Sequence, residues 1–497
     1  MTAPESSSGA GAGASPVSPF VSSGTSLPPT PAVPPVPFVR AVVLNYNGDP
    51  HVFRCLEALR ATVWPADRFS VVVVDNNSAD GSAERIAAEF PAVELRRLGT
   101  NTGFPANNEA LRDLAGVDYV ALVNNDAFVT PGWLGPLVDA LEEDPALGAA
   151  CPKLLFAPAF VELTVASTTF RARGDARDLG LRVSGVEVDG VDRWRAAQFP
   201  PPGFWGIERG AGQEPQYCWT NGQAALRVPF QPGGMPSGME PSGMEPSGTE
   251  PSGTVRVRLA APKPTAVTLR CGPQELVVEV GPTPAWFTIE VSGTPFDVVQ
   301  NAGSIVLVGG YGADRGFLER DNDQYGSSDE VFAWCGGGVL LRPAYLQQVG
   351  LFDERFFAYY EDTDLAWRGR AQGWRYRYVP TSVLRHQHAT TSVEGSATFN
   401  RYVERNRLIM LTKNAPRRLA FEAVWRYLLT TLSYARRDVL GPLRRVGRPR
   451  FGVVHLRLVS FGSYLRLLPA LLGDRRALRR RQVVEDAVLA TWFQRGR

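Results

Sequence analysis

The chain has 497 residues, of which 44% are hydrophobic and 21% charged, with 52 Lys/Arg against 50 Asp/Glu. That length exceeds one ordinary hydrophobic core and predicts two or three domains of globular, soluble class. Five scattered cysteines with no CxxC argue against a disulfide framework or zinc ribbon and fit a reducing compartment. No run of about 18 apolar residues predicts a transmembrane helix.

The near-neutral total hides an asymmetry. From Arg401 onward there are 22 Lys/Arg against 6 Asp/Glu, a net +16, so the first 400 residues carry −14. A basic tail calls for an anionic partner, membrane lipid or nucleic acid.

Residues 1–37 are rich in Ser, Gly, Ala and Pro, with neither a basic nor an apolar leader segment. They are expected to be disordered, and the protein to stay in the cytosol. Order is expected from about Val39. Ala41–Leu44, Phe69–Val74, Val93–Leu95 and Tyr119–Val123 read as strands, and the stretches through Val52–Leu59, Ala83–Phe90 and Pro105–Leu114 read as helices. That alternation predicts a parallel sheet with helices on both faces. Its strands close on polar clusters, Asn45-Tyr46-Asn47, Asp75-Asn76-Asn77 and Asn124-Asn125-Asp126. Asn and Asp are common in turns for local reasons. Three such clusters at strand ends favour a ligand site, since open α/β sheets bind ligands there.

After Phe156 the periodicity weakens. Residues 158–329 read as an insertion, interrupted by a low-complexity P-S-G-[MT]-E repeat at 231–254 that predicts a linker. Beyond it Val255–Leu259, Ala266–Arg270, Leu276–Val280, Trp286–Val291 and Asp297–Val308 are expected as short strands of a small sandwich. Trp334–Leu341 resumes the α/β style, with Gly336, Gly337 and Gly338 allowing close backbone approach. Tyr376–Val379 and Val383–His388 follow as strands. Beyond Phe399 the pattern is helical, with arginines set among apolar residues. Such helices lie on an anionic membrane surface or form a cap packed on the catalytic domain.

Leu351–Arg370, LFDERFFAYYEDTDLAWRGR, packs three carboxylates (Glu361, Asp362, Asp364) between aromatic residues. It reads as a helix start favoured by the dipole. It reads equally as a carboxylate cluster whose desolvation is offset by chemistry.

VVLNYNG, VVVVDNNSADGS, NTGFPANNEAL, LVNNDAFVTPGWL and FDERFFAYYEDTDLAWR, in that order, resemble the inverting family 2 glycosyltransferases, in particular their bacterial rhamnosyltransferase-like and galactofuranosyltransferase-like branch. The resemblance covers Phe38 to about Phe156 and Phe332 to about Pro416. It implies an α/β GT-A nucleotide-diphospho-sugar transferase domain with a Rossmann-like mixed sheet, split into a donor half (38–157) and an acceptor half (330–416). The inserted β-rich region lies between these halves, and a basic helical extension (417–497) follows.

By motif, the resemblance implies that Asn45, Asn47, Asp75, Asn101, Gly103, Asn107, Asn124 and Asn125 bind the donor. Asp126 and His386 would hold a divalent cation, Mg²⁺ or Mn²⁺, with His388 as the substitute ligand. Asn124 stands where the family has the first carboxylate of its DXD-type motif, so it brings no charge to that metal. Such a cation needs few protein ligands when a diphosphate supplies oxygens. Asp362 would be the general base and Glu361 would position the acceptor, leaving Asp364 as a helix cap. Trp334, Gly336, Gly337, Tyr359 and Tyr360 would form the acceptor wall. The expected partners are a nucleoside-diphosphate-sugar, possibly dTDP-rhamnose by branch, and a glycan or polyprenyl-linked acceptor on the inner membrane face. The alternative is a non-catalytic glycan-binding or scaffold protein. A nucleic-acid partner is disfavoured, because the tail matches no nucleic-acid-binding module.

Overall fold

The computed structural model describes residues 35–208, 215–230, 253–291, 293–387, 396–444 and 448–495. The linker repeat at 231–252, His388 and nearly all of the N-terminal 37 residues lie outside these.

The first part of the main sheet and its helices comprises β1 (Val39–Asn45), α1 (His51–Arg60), β2 (Phe69–Asp75), α2 (Ser82–Glu89), β3 (Glu94–Arg97), α3 (Asn108–Leu111), β4 (Tyr119–Asn124), β5 (Ala127–Val129), α4 (Leu134–Glu143) and β6 (Leu147–Phe156). β1 pairs in parallel with β2 and with β4, and β2 with β3. Alternation along β1 sorts its side chains between two cores. Val39, Ala41 and Val43 face α1 and α4, while Val42 joins the core that holds Trp334 and Trp367. The helix expected over Pro105–Leu114 shrinks to a 3-10 turn (Phe104–Asn107) and the single turn of α3. Its polar side chains are used elsewhere: Asn107 bonds back to the Phe104 carbonyl, and Asn108 pairs with the Phe352 backbone in both directions.

The chain then leaves the sheet. β7 (Phe160–Ser167), β8 (Arg182–Val188), β9 (Val191–Asp192), β10 (Cys218–Trp219), β11 (Gln223–Pro229), β12 (Thr254–Ala260), β13 (Thr265–Cys271), β14 (Gln274–Val280) and β15 (Ala285–Glu290) form a five-stranded and a four-stranded antiparallel sheet. The two sheets enclose a core of their own, including Leu163, Leu181, Val257 and Leu269. This is the sandwich that the strand spacing predicts, but it ends earlier than expected. Asp297–Val308, expected as one strand, divides into β16 (Val298–Asn301) and β17 (Ser304–Leu307). β16 pairs with β6 in the main sheet, and β17 forms a hairpin with β18 (Tyr311–Asp314). The last part of the insertion is therefore built into the main sheet.

β19 (Glu319–Arg320), β20 (Asp329–Glu330), β21 (Gly338–Leu341), α5 (Pro343–Val349), α6 (Glu361–Ala371) and β22 (Arg375–His386) complete an eleven-stranded sheet. Its central order is β19-β16-β6-β21-β4-β1-β2-β3. β21 runs antiparallel to β4 and β6 while β22 runs parallel to β6, so the sheet is mixed, with an unbroken parallel run from β4 through β1 and β2 to β3. β22 is one strand with an irregularity between Val379 and Val383, where two strands were expected.

Five helices follow: α7 (Ala397–Asn414), α8 (Arg417–Tyr434), α9 (Gly441–Arg444), α10 (Gly452–Arg481) and α11 (Asp486–Ala490). α10 packs along α7 through buried Arg457, Ser460, Tyr464 and Leu471. It continues through Pro469 as one helix. No described helix is long and apolar enough to cross a membrane.

Candidate active site

The three polar clusters meet where the parallel strands end. Asn45 is in register with Asp75, and Leu44 with Asn124. Asn45 Nδ2 donates to Asp75 Oδ1 at 2.9 Å and Ser82 Oγ at 2.8 Å, and its Oδ1 accepts from Asn125 Nδ2 at 3.4 Å. Asn45 is 0% exposed and Asn107 2%. Both amides are engaged by neighbouring protein groups, as burial requires. Asn47 accepts from the Ala79 N–H at 2.8 Å, fixing the loop after β2.

Asn76, not singled out in the sequence, ties the floor together. It donates to Asn101 Oδ1 (2.9 Å) and the Gly103 carbonyl (3.1 Å), and accepts from the Thr102 N–H (2.9 Å). Gly103 has φ +75, and a Cβ there would lie 2.0 Å from the Phe357 carbonyl. Phe104 N–H donates to that same carbonyl at 2.7 Å. This glycine lets the donor floor touch the acid stretch.

At the centre, His386 at the end of β22 meets Asp126, because β22 pairs with β5 and sets His386 opposite Ala127. His386 Nε2 lies 2.9 Å from Asp126 Oδ1 and 3.3 Å from Asn124 Nδ2. Both residues are buried. Nδ1 faces Gln300 Oε1 at 2.8 Å, so both ring nitrogens are directed at oxygen acceptors. Burial alone would lower the imidazole, but the Asp126 charge and hydrogen bond, with the Asp314 charge, hold it above its ordinary value. The donor set fits a divalent cation in one respect. A separation of 2.9 Å between Nε2 and Oδ1 matches two adjacent ligands on an octahedral ion at about 2.1 Å. Among the described residues no third His, Cys, Asp or Glu completes such a cluster, so the remaining ligands would have to come from substrate and water.

Asn124 N–H donates to the Gly337 carbonyl (3.2 Å), and Gly336 N–H donates to Asp362 Oδ2 (3.1 Å). A continuous polar arc therefore runs from His386 through Asn124 and the Gly336-Gly337 backbone to Asp362. The Thr363 N–H (2.6 Å) and Oγ1 (3.1 Å) hold Asp362 Oδ1. Burial raises the Asp362 carboxyl above its ordinary range, only partly offset by these bonds.

The acid cluster separates by environment. Asp364 is fully buried. It accepts from Arg368 Nε (2.9 Å), Lys413 Nζ (2.9 Å) and Asn414 Nδ2 (2.8 Å), so it anchors α6 to α7 and does not cap the helix. Glu361 is also buried, and its Oε2 has no partner. Burial first, then the Asp362 charge, push its carboxyl well above the ordinary range. Trp334 is 0% exposed and belongs to the core, not to an acceptor wall. Gly336 and Gly337 serve through their backbone. Tyr359 packs edge-on against Phe399 at 4.9 Å, and Tyr360 Oη lies 3.4 Å from the Gly312 N–H.

Before α6 the backbone takes a costly form. Phe357, Tyr359 and Tyr360 all have φ between +65 and +70. Asn406 of α7, fully buried, holds this segment by donating to the carbonyls of Phe356 (2.8 Å), Ala358 (2.7 Å) and Tyr359 (2.9 Å). Replacing Asn406 with Leu takes the side-chain donor from the half-buried Ala358 and Tyr359 carbonyls and should cost about 1–3 kcal/mol. Thermal unfolding of Asn406→Leu checks this, and an unchanged midpoint contradicts the clamp.

Asp314 is the second contribution that the sequence did not reveal. Its carboxylate accepts from Asn301 Nδ2, and desolvation raises it to about 6, with a further push from Asp362. Gly312, two residues earlier on β18, faces Tyr360 and Thr363, so Asp314 points to the same side as the start of α6. Gln300 and Asp314 both lie in the part of the insertion that rejoins the main sheet. Their distance in sequence from the other motifs concealed them.

Residues 41–179 match the model of the family described as Glycosyl transferase family 2. Over 123 residues the chain is 32% identical to N-acetylglucosaminyl-diphospho-decaprenol L-rhamnosyltransferase of Mycobacterium tuberculosis (strain CDC 1551 / Oshkosh), covering 22% of this chain and 39% of that protein. Over 107 residues it is 38% identical to glycosyltransferase AglE of Haloferax volcanii, covering 20% of this chain and 34% of that protein. The chain thus matches less than two fifths of the length of either curated relative. Among solved structures, GalNAc-T7 with UDP, GalNAc and Mn²⁺ aligns with 76% of this chain and 50% of its own, at 12% identity and a TM-score of 0.37. Residues 41–179 are thus similar to the Glycosyl transferase family 2 domain.

Proposed function

We propose that the protein is an inverting glycosyltransferase that moves a sugar from a nucleoside-diphosphate-sugar to a glycan or lipid-linked glycan. The observation that carries this reading is the polar arc joining Asp126 and His386 to Asp362 across Asn124 and the Gly336-Gly337 backbone. It sets a charged leaving-group site beside a carboxylate with a raised pKa, the two groups that a single displacement at an anomeric carbon needs.

In this reading the donor lies over the ends of β1, β2 and β4, on the floor fixed by Asn76, Asn101 and Gly103. Asp362 takes the proton of the acceptor hydroxyl as it attacks, a step worth roughly 10²–10⁴ in rate. Its bonds from Gly336 and Thr363 orient the carboxylate while leaving lone pairs for that proton. Asp314 and Tyr360 flank the acceptor side. A divalent cation held by Asp126 and His386, when bound, supplies charge stabilisation to the departing diphosphate. A rhamnosyl nucleotide is the first donor to test, given the L-rhamnosyltransferase relative, and a diphospho-prenol glycan the first acceptor. Release of nucleoside diphosphate from a donor panel tests the reading, and no release from any donor refutes it in favour of a glycan-binding or scaffold role.

The C-terminal helices support placement on a membrane surface. Phe421, Trp425, Leu428, Leu429 and Leu432 form an exposed face of α8 at helical spacing, and Leu458, Leu465 and Leu472 recur every seven residues along α10, all exposed. Exposed Arg426, Arg436, Arg444 and Arg466 accompany them. The full-length protein should float with vesicles containing phosphatidylglycerol. Replacing Phe421 and Trp425 with Ser should reduce that fraction severalfold, and unchanged flotation refutes the placement.

A further inference from the structure

Where α10 ends, five arginines surround one shallow pocket of ≈ 710 Å³. Its lining is Arg417, Arg475, Arg476, Arg479, Arg480 and Asp486, a formal charge of +4. The five do not play one part. Arg475 Nη1 donates to the carbonyls of Thr412 and Ala415, both at 2.8 Å. Arg479 Nη2 donates to the Ala415 carbonyl at 2.8 Å, and its Nη1 pairs with Asp486 at 2.5 Å. These two close the C-terminal end of α7, where cations complement unpaired carbonyls. Arg417, Arg476 and Arg480 are exposed, and none has an ion pair or side-chain hydrogen bond among the described residues.

This crowding is unfavourable without a counter-charge. Burial and the neighbouring Arg479 and Arg417 charges push the Arg475 guanidinium below its ordinary value, and Asp486 offsets only part of this. A solvated basic face would spread its charges apart, whereas here α8 and α10 bring theirs to one concavity. Guanidinium forks match phosphate oxygens in geometry and charge.

We propose that this pocket is a phosphate-binding site, in which Arg417, Arg476 and Arg480 grip a phosphate group against the floor made by Arg475 and Arg479. The phosphate can arrive on a phospholipid headgroup or as a free phosphate ester. The exposed stripe of α10 ends at Leu472, three residues before Arg475, which places the pocket at the edge of an apolar face.

The test compares wild-type protein with R417A/R476A/R480A, whose exposed and unpaired side chains make the substitutions compatible with folding. R173A/R195A/K263A, which removes equal charge from exposed positions in the inserted β region, is the control. Binding of pyrophosphate is measured by calorimetry in EDTA at low salt, and binding of phosphatidylglycerol vesicles by flotation. The pocket variant should lose at least about tenfold in one or both, while the control stays within about twofold. Loss of pyrophosphate binding alone assigns the free ester, and loss of vesicle binding alone assigns the lipid headgroup. Equal loss in both variants, or none in the pocket variant, overturns the site. The outcome does not depend on transferase activity.

Discussion

Asp362→Asn should lower turnover by roughly a hundredfold or more while leaving donor affinity unchanged, because it removes the proton acceptor and keeps the shape and the Gly336 and Thr363 contacts. The pH profile sharpens the test. A base must be ionised to act, and burial raises the Asp362 carboxyl, so turnover should decline with falling pH starting above the range of an ordinary aspartate. The variant should lack this acid limb. Near-normal turnover in Asp362→Asn, with melting unchanged, would remove Asp362 from the mechanism. Asp314 would then be the next carboxylate to test, since it faces the same side.

Asp126→Ala should weaken nucleotide-sugar binding in Mn²⁺ by at least about tenfold, the lower end of what disturbing a metal site costs. In EDTA the same variant should match wild type. Calorimetry in the two buffers separates loss of a metal ligand from a general collapse of the pocket, which would weaken binding in both. Equal affinity for wild type and variant in Mn²⁺ would refute the assignment of Asp126. His386 is held by Gln300 as well as by Asp126, so the imidazole should keep its place in the variant.

The sequence was most legible where local pattern and local chemistry coincide. Buried runs such as Val72–Val74 and the polar residues closing them marked the sheet edge where the three polar clusters meet, because strand ends in an α/β sheet face one edge. Individual roles were less legible. Asn45, Asn107, Glu361 and Trp334 carry suitable chemistry, yet all four are buried, and burial depends on packing that a motif does not encode. Gln300, Asp314 and Asn406 were missed for the opposite reason. Each acts through a contact made by long-range topology: β16 joining β6, β18 facing α6, and α7 lying against the strained segment before Glu361. The tail arginines divide in the same way. Arg457 stacks over Tyr427 at 3.9 Å, and Arg475 and Arg479 close α7, so part of the +16 is structural and only the remainder is free for an anionic partner.

The anomeric configuration of the first transfer product, read by NMR with a nucleotide-sugar that the enzyme turns over, tests the central claim most directly. A single displacement with Asp362 as base predicts a product whose configuration is opposite to that of the donor. A product that retains the donor configuration would contradict it.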